Sequence, residues 1–272
     1  MGVRGDFHWV AHHTAHAASA YYPSSFNESL VLSLDGIGED NTAGVFIGKE
    51  NKLTKISTIT YPNSIGFMWE RISEYLGFSE YDACKVMGMA AYGDAERFKE
   101  QFSSIVECLP EGQFTINNDI LTFRSKSFSK LESLFDLQKR HKHDELRQEH
   151  YDIAATLQVV TDDIVMNIAR HYLASSGSHH LCLAGGVALN CITNRLLYEA
   201  CDIADIYVQP AAHDAGTAIG AALYIWHHIM EQTQRHPMVS AYLGPEYSDA
   251  QYEHELKKYN LTWEKVDNIH QR

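Results

Sequence analysis

Apolar residues between positions 29 and 60 fall into three short runs, which predict three β-strands. The runs cover residues 29–35, 43–47 and 53–60 and are rich in Val, Ile, Leu and Thr. Glycine and asparagine occupy the connections between them, as in the tight turns of antiparallel hairpins. This region is therefore predicted to be a three-stranded antiparallel meander.

Helical periodicity dominates the regions on both sides of the meander. The alanine-rich residues 9–22 predict a helix that ends before Pro23. Apolar residues spaced by three or four predict helices over 64–76 and 149–175. Two further helices are predicted over 81–92 and 96–108.

Two other regions are polar and less regular. We interpret residues 109–147 as an insertion with a strand at 114–123 and a helix near 128–142. From Pro237 onward the composition shifts, and the sequence predicts a linker, one helix and a final strand at 261–267.

Strands and helices alternate between these two regions. Strands are predicted at 181–183 and 206–208, each followed by a helix, over 187–199 and from 214 to about 228. This alternation implies parallel strands joined by right-handed crossovers.

The order of elements predicts an α/β fold, namely one lobe of the actin/hexokinase/heat-shock ATPase superfamily. The lobe would contain a mixed sheet, formed by the meander plus parallel strands and flanked by helices. We assign residues 1–27, with the helix predicted over 9–22, to the end of a preceding lobe. Residues 28–236 are assigned to this second lobe. Residues 237–272 are assigned to the linker and the start of a further, C-terminal domain.

Charge and cysteine content narrow the functional classes. The 272 residues include 22 Lys and Arg against 35 Asp and Glu, a net charge of −13, so a nucleic-acid partner is not expected. Five cysteines without a C-x-x-C pair indicate a reducing compartment, and we expect a cytoplasmic protein. Neither an apolar run of membrane-spanning length nor a signal-peptide pattern occurs, so no membrane partner is expected.

Histidines in the first helix form the first candidate site. His12 and His16 are four residues apart, so they share one helix face and could chelate a divalent ion such as Fe, Zn, Ni or Cu. His13 and His16 also share a face, at a spacing of three residues. The alternative interpretation is a polar helix face beside the core.

Two segments combine an acidic residue with glycine. Asp35 and Gly36 end an apolar strand, where a carboxylate can bind a metal and backbone amides can approach an anion; the alternative is a β-turn. Asp214 lies where a helix cap is expected, and a capping carboxylate can also bind a metal through its free oxygen. Gly216 and Gly220, four residues apart, would allow close packing or close ligand approach.

Two further segments could bind phosphate or ribose. Gly185 and Gly186 connect a predicted strand to a predicted helix, and Asn190 and Asn194 follow them. Two glycines at this position expose the N-terminus of the helix, which can bind an anion. The alternative interpretation is a tight turn between the strand and the helix. Lys85 is the one cation in an apolar stretch of small residues. It could reach a phosphate or carbamoyl oxygen, or extend from a core helix to solvent.

Together these segments resemble the NodU/CmcH carbamoyltransferase family, which is related to the tRNA threonylcarbamoyl-transfer proteins. The resemblance spans residues 10–246. It rests on HHTAHAASAY at 12–21, SLDG at 33–36, KVMGMA at 85–90, LAGGVALNC at 183–191, QPAAHDAG at 209–216 and YLGPEY at 242–247. As a set these segments are specific, and the LAGGVALN and YLGPEY segments favour the branch that acts on small molecules.

The resemblance implies a reaction in two parts. Carbamoyl phosphate and ATP form carbamoyl-adenylate in a separate YrdC-like domain, which would start within residues 237–272. A metal-containing domain then transfers the carbamoyl group to a hydroxyl of a small molecule, such as a sugar or a natural product. The metal would be Fe²⁺ or another transition metal that polarises the carbamoyl carbonyl.

The resemblance also implies roles for individual residues. The metal ligands would be His12, His16, Asp35 and Asp214, and the catalytic residues His12, His13 and Lys85. Contacts to ATP or carbamoyl-adenylate would come from Asp35, Gly36, Gly185, Gly186, Asn190, Asn194 and Gly216. The sequence departs from the family pattern at His213, where we expect glycine.

We therefore interpret the chain as the core fragment of a metal-dependent O-carbamoyltransferase. Because a superfamily cleft needs two lobes and only one meander is present, the chain alone is expected to be inactive. A cleft wall left exposed would favour a homodimer. Two alternatives stay open, a threonylcarbamoyl transferase acting on tRNA and a nucleotide-binding remnant without turnover.

Overall fold

A computed structural model describes residues 5–266 of the protein as seven strands and nine α-helices. The strands are β1 (Glu28–Gly38), β2 (Asn41–Lys49), β3 (Lys52–Thr60), β4 (Val106–Leu109), β5 (Gln113–Ile116), β6 (His180–Ala184) and β7 (Asp205–Val208). The helices are α1 (His12–Tyr21), α2 (Ile65–Tyr75), α3 (Ala83–Ala90), α4 (Lys99–Ser103), α5 (Ser129–Phe135), α6 (Gln148–Ser176), α7 (Cys191–Ala200), α8 (Thr217–Tyr224) and α9 (Asp249–Lys258).

Five of the strands form one mixed sheet in the order β3-β2-β1-β6-β7. Strands β1, β2 and β3 pair antiparallel, as the predicted meander requires. Strand β6 pairs in parallel with β1, and β7 pairs in parallel with β6. A meander continued by parallel strands confirms the α/β lobe predicted from the sequence.

The central strand β1 supplies side chains to two apolar cores. Leu30, Leu32 and Leu34 belong to the larger core, which also contains the buried residues of α2 and α6. Val31 points to the opposite face and packs with the alanines and tyrosines of α1. Because side chains alternate along a strand, a strand covered by helices on both faces is apolar at nearly every position.

The region between α3 and α6 differs from the prediction. In place of a helix over 96–108, the chain forms only α4 and then enters β4, which pairs with β5 in a separate hairpin. The strand predicted over 114–123 ends at Ile116, because the carbonyl of Asn117 accepts two backbone hydrogen bonds that start a turn. The helix predicted near 128–142 ends early, because Asp136 adopts a left-handed φ of 48°.

The helices predicted over 187–199 and from 214 are present, but each is divided. A short 3₁₀ turn precedes each α-helix, at Gly186–Leu189 before α7 and at Asp214–Gly216 before α8. These tight turns start directly after β6 and β7, so they place the residues of both predicted binding segments near the ends of the parallel strands.

The described residues divide into two compact units between Pro237 and Met238. The first unit contains the sheets and helices α1 to α8, and the second contains α9. The predicted final strand is absent from residues 261–266, and Asp267 lies outside the described residues. Among the described helices, none has the length and apolar content to cross a membrane.

Helix α1 packs closely against α8 through small residues. A Cβ atom on Gly220 would overlap the carbonyl oxygen of Ala15, so the two backbones touch at this position. Three more alanines of α1 are completely buried, Ala17, Ala18 and Ala20. The absence of large side chains therefore lets α1 lie directly against α8 and the sheet.

Gly220→Ala is expected to lower the free energy of unfolding by about 1–3 kcal/mol, because the added methyl group must push α1 away from α8. Denaturant unfolding followed by circular dichroism measures this change. Gly88→Ala is the matched control, since it lies in α3 and an added Cβ meets nothing within 4 Å. That variant should gain about 0.5–1 kcal/mol. Equal effects of the two substitutions would contradict the close packing of α1 and α8.

Candidate active site

Helix α1 presents two histidines, one turn apart, at its N-terminal end. His12 begins the helix, and its backbone N–H donates to the carboxylate of Glu39, just after β1, at 3.2 Å. The ring of His12 lies directly over Gly38, where a Cβ atom would overlap it. His16 lies one turn later and is completely buried. A glycine at the end of β1 therefore makes room for the first histidine of the site.

Four side-chain atoms from three segments converge beside α1. They are Nε2 of His12, Nε2 of His16, Oδ2 of Asp35 on β1 and Oδ1 of Asp214 before α8, and all lie within 4.8 Å of one another. The two imidazole nitrogens are 3.1 Å apart. Asp35 Oδ2 lies 2.8 Å from His12 and 3.2 Å from His16, and Asp214 Oδ1 lies 3.3 Å from His16. The structure thus brings together the four metal ligands predicted from the sequence.

The spacing of these atoms suits a single transition-metal ion. Ligand atoms about 2.1 Å from one ion lie roughly 3.0–3.4 Å apart in octahedral or tetrahedral geometry. The separations that involve an imidazole nitrogen of this cluster run from 2.8 Å to 3.6 Å. Within residues 5–266, Nδ1 of His16 is buried and has no hydrogen-bond partner. The ring of His16 therefore forms its polar contacts through Nε2 alone.

His12 and Asp35 form a hydrogen-bonded pair. The hydrogen bond to Asp35 holds the pKa of His12 above its ordinary value and outweighs the effect of burial. Burial alone would raise the pKa of Asp35, but hydrogen bonds from His12 and His16 hold that pKa well below its ordinary range. The site therefore keeps its carboxylate ionised, as a metal ligand must be.

Asp35 also connects the cluster to the turn after β6. Its second oxygen, Oδ1, accepts a hydrogen bond from the backbone N–H of Gly186 at 3.0 Å. Gly185 has a φ of +90°, and a Cβ atom there would overlap the backbone of Leu34. Gly185 is thus required for the turn to lie against the end of β1, and a Cβ atom on Gly186 would lie only 3.0 Å from Oδ1 of Asp35.

A cavity of about 280 Å³, which we call the first cavity, opens beside Asp35. Four residues of its wall are among the predicted nucleotide contacts, namely Asp35, Gly36, Gly186 and Asn190. The other lining residues are Gly66, Trp69, Glu70, Glu80, Tyr81, Ala83, Cys84, Met87, Val187 and Leu189. We call the four converging side chains, His12, His16, Asp35 and Asp214, the donor cluster. Asp35 belongs both to this donor cluster and to the wall of the first cavity.

Asn190 and two predicted contacts outside the cavity wall, Asn194 and Gly216, have structural roles in their turns. Asn190 caps α7 by accepting from the N–H of Thr193 at 3.2 Å, and its amide group donates to Gln158 at 2.9 Å. Asn194 donates to the carbonyl of Ala188 at 2.7 Å. Gly216 leaves no space for a side chain, since a Cβ atom would overlap the carbonyl oxygen of Ala211.

Two of the predicted catalytic residues lie outside the donor cluster. His13 is buried, with Nδ1 2.8 Å from the hydroxyl of Ser33 and Nε2 3.0 Å from the carbonyl oxygen of Asn41. Burial lowers the pKa of His13, and the contacts of its two ring nitrogens fix α1 on the sheet. Lys85 is exposed on α3, is absent from the lining of the first cavity, and lies 2.6 Å from Asp82.

The helix cap at α8 differs from the expectation. Nδ1 of His213 accepts from the backbone N–H of Ala215 at 3.3 Å, so His213, and not Asp214, caps the 3₁₀ turn. This explains how the chain tolerates histidine at a position where we expected glycine. The carboxylate of Asp214 remains available to the donor cluster.

Sequence reasoning missed the side of the first cavity formed by α2. Trp69 and Glu70 lie within the helix predicted over 64–76, but nothing in the pattern singles out either residue as part of a site. Periodicity shows which face of a helix is covered, but not whether the covering group is another side chain or a ligand.

Comparison with known proteins identifies the family. The family model for the carbamoyltransferase N-terminus matches residues 2–223, a span that includes every candidate site residue. The chain belongs to the carbamoyltransferase family. The resemblance to this family inferred from the sequence is therefore confirmed.

This chain is similar to several longer proteins. An uncharacterized protein of Synechocystis sp. is 38% identical over 260 residues, which cover 90% of this chain and 41% of that protein. The nodulation protein NolO of Bradyrhizobium diazoefficiens is 36% identical, over 88% of this chain and 42% of NolO. NolNO of Sinorhizobium fredii is 34% identical, over 97% of this chain and 38% of NolNO. The chain spans about two fifths of the length of these relatives.

Solved structures of HypF are also similar to this chain. Full-length HypF in its phosphate- and nucleotide-bound form aligns with a TM-score of 0.48 at 14% identity, covering 82% of this chain and 43% of HypF. HypF of T. kodakarensis aligns with a TM-score of 0.43 at 15% identity, covering 82% of this chain and 37% of that one.

Asp35→Asn is expected to lower the pKa of His12 toward 6.5, because the hydrogen bond to Asp35 is the main reason that this pKa is raised. Imidazole ¹H–¹⁵N NMR titration of chelator-treated protein measures the shift. The pair stabilises the fold while His12 is protonated, so its contribution disappears as the pH rises through the folded-state pKa of His12. Asp40→Asn makes the same charge change on the exposed β1–β2 turn and should leave His12 unaffected. An unchanged His12 pKa in Asp35→Asn would contradict the pairing.

Proposed function

We propose that the chain holds the transfer centre of an O-carbamoyltransferase. The carbamoyl group would come from carbamoyl-adenylate, made from carbamoyl phosphate and ATP, and would move to a hydroxyl of a small molecule. Membership of the carbamoyltransferase family supports the reaction class. The observation that carries the proposal is the double role of Asp35, which belongs to the four-atom donor cluster and lines the first cavity.

The donor cluster would hold the metal ion. Two imidazole nitrogens and two carboxylate oxygens fit Fe²⁺, and they also fit other divalent transition metals. When bound, the ion would act as a Lewis acid that polarises the carbamoyl carbonyl. His16 is completely buried and Asp35 mostly so, which keeps water away from this side of the cluster, while the side chain of Asp214 is 75% exposed.

The first cavity would hold the nucleotide. Apolar side chains from α2, α3 and the turn after β6, such as Trp69, Met87 and Val187, provide surfaces for an adenine ring. The helical turn that begins at Gly186 starts in the same wall, and helix N-termini attract phosphate. These backbone dipoles would compensate for the net charge of −13.

In this proposal the predicted catalytic residues have different tasks. His12 binds the metal together with His16, and His13 orients α1 through its contacts with Ser33 and Asn41. Lys85 would act as an auxiliary cation. It can approach the transferred group only if its ion pair with Asp82 opens, since both lie outside the lining of the first cavity.

The metal proposal predicts about one equivalent of a transition metal in protein purified without an affinity tag or chelators. The double variant His12→Ala/His16→Ala should lose at least 100-fold in affinity for added Co²⁺, because half of the ligands are gone. Elemental analysis and Co²⁺ absorption titration measure occupancy and affinity. The matched control is His141→Ala/His143→Ala, which removes two exposed histidines of the insertion. Equal Co²⁺ affinity in both double variants would show that the site lies elsewhere.

The transfer proposal is tested with ATP, labelled carbamoyl phosphate and a panel of hydroxylated acceptors that includes tRNA. The polypeptide of the complete reading frame should release pyrophosphate and label a small acceptor. This chain assayed alone should form no product, because the activation step is assigned to a separate domain. Label on tRNA would instead support the threonylcarbamoyl alternative. Bound nucleotide with neither metal nor product would support a remnant without turnover, and sustained turnover by this chain alone would contradict the assignment of the activation step to a separate domain.

A further inference from the structure

Glu70 contributes a carboxylate to the wall of the first cavity. Glu70 lies on α2, next to Trp69, and is partly buried. Across residues 5–266, no donor pairs with its side chain by hydrogen bond or ion pair. Its Oε1 lies 3.7 Å from the position that a Cβ atom on Gly36 would occupy, directly after the metal-ligand candidate Asp35. A carboxylate that is partly desolvated and accepts no hydrogen bond is expensive to keep ionised unless a ligand uses it.

Glu70 also lies at the junction of two cavities. A second cavity, of about 210 Å³, shares Glu70, Glu80 and Tyr81 with the first cavity. Its other lining residues are Phe67, Arg71, Glu74, Phe123 and Arg124. Aromatic rings next to carboxylates and guanidinium groups suit a compact polyhydroxylated molecule, because rings cover its C–H faces and charged groups bind its hydroxyls.

We propose that Glu70 accepts the proton of the acceptor hydroxyl during carbamoyl transfer, with the acceptor held in the second cavity. This inference rests on the proposed function. The first cavity would contain the carbamoyl-adenylate, with the carbamoyl group toward Asp35. An acceptor in the second cavity then approaches that group past Glu70, which lines both cavities.

The step is a balanced substitution at the carbamoyl carbon. The acceptor oxygen forms a bond to that carbon, and its proton moves to a carboxylate oxygen of Glu70. The bond between the carbamoyl carbon and the phosphate oxygen breaks, and AMP leaves with the electron pair. The products are a carbamate ester and AMP, and Glu70 then releases its proton to solvent.

The surroundings of Glu70 adjust its basicity to this task. Burial raises the pKa of Glu70 to about 7. The guanidinium of Arg124 works against this shift, whereas Glu80, Glu74 and Asp35 add to it. A base with a pKa near the working pH is more effective than an ordinary carboxylate. Because protonated Glu70 cannot accept a proton, transfer should slow as the pH falls below about 7.

The experiment compares Glu70→Gln and Glu70→Asp with wild type in the polypeptide of the complete reading frame. Glycerol, D-glucose and D-glucosamine serve as acceptor probes, and labelled carbamate product is followed between about pH 5 and pH 9. Carbamoyl-phosphate-dependent exchange of pyrophosphate into ATP reports the activation step separately. Glu96→Gln is the matched control, since it removes the same charge from a side chain that is 71% exposed and paired with Lys99.

Glu70→Gln should lower the kcat of transfer by about 10²–10⁴-fold and abolish the loss of activity at low pH. Pyrophosphate exchange, metal content and the KM for ATP should not change, and Glu70→Asp should be intermediate. Transfer within about threefold of wild type, or a raised KM for ATP with an unchanged pH profile, would overturn the role of Glu70. If wild type activates carbamoyl phosphate but transfers to no acceptor, the proposed function fails and the role of Glu70 fails with it.

Discussion

The two oxygens of Asp35 hold the site together. One oxygen lies beside the imidazoles of His12 and His16, and the other accepts the backbone N–H of Gly186. A single carboxylate at the end of the central strand therefore ties helix α1 to the turn after β6. The strand itself is fixed by buried side chains on both faces, so the carboxylate has a rigid base. Removing it would separate the donor cluster from the first cavity.

Small residues allow these three segments to approach. Gly38 leaves space for the ring of His12, Gly185 lies against the backbone of Leu34, and Gly220 lies against Ala15. A side chain at any of these positions would increase the distance between backbones that must touch. The ligand atoms would then move apart, although no ligand had been changed. The geometry of the site thus depends on residues that take no part in its chemistry.

The sequence was most informative where local spacing determines the structure. Turn residues and apolar runs predicted the meander, and the four-residue spacing of His12 and His16 placed both rings on one helix face. The sequence was less informative where contacts between distant segments determine the local structure. The chain favours a strand after α4 because β4 pairs with β5, and such pairing leaves little local signal. The cap at His213 and the cavity-facing position of Glu70 likewise depend on neighbours in space.

The central claim is that a metal and a nucleotide bind side by side, with Asp35 between them. Crystals grown with Co²⁺ and AMP, with anomalous diffraction at the cobalt edge, test this most directly. We expect one cobalt peak about 2.0–2.3 Å from Nε2 of His12 and His16 and from the carboxylates of Asp35 and Asp214, with AMP in the first cavity. A cobalt peak elsewhere, or AMP bound away from that cavity, would contradict this claim.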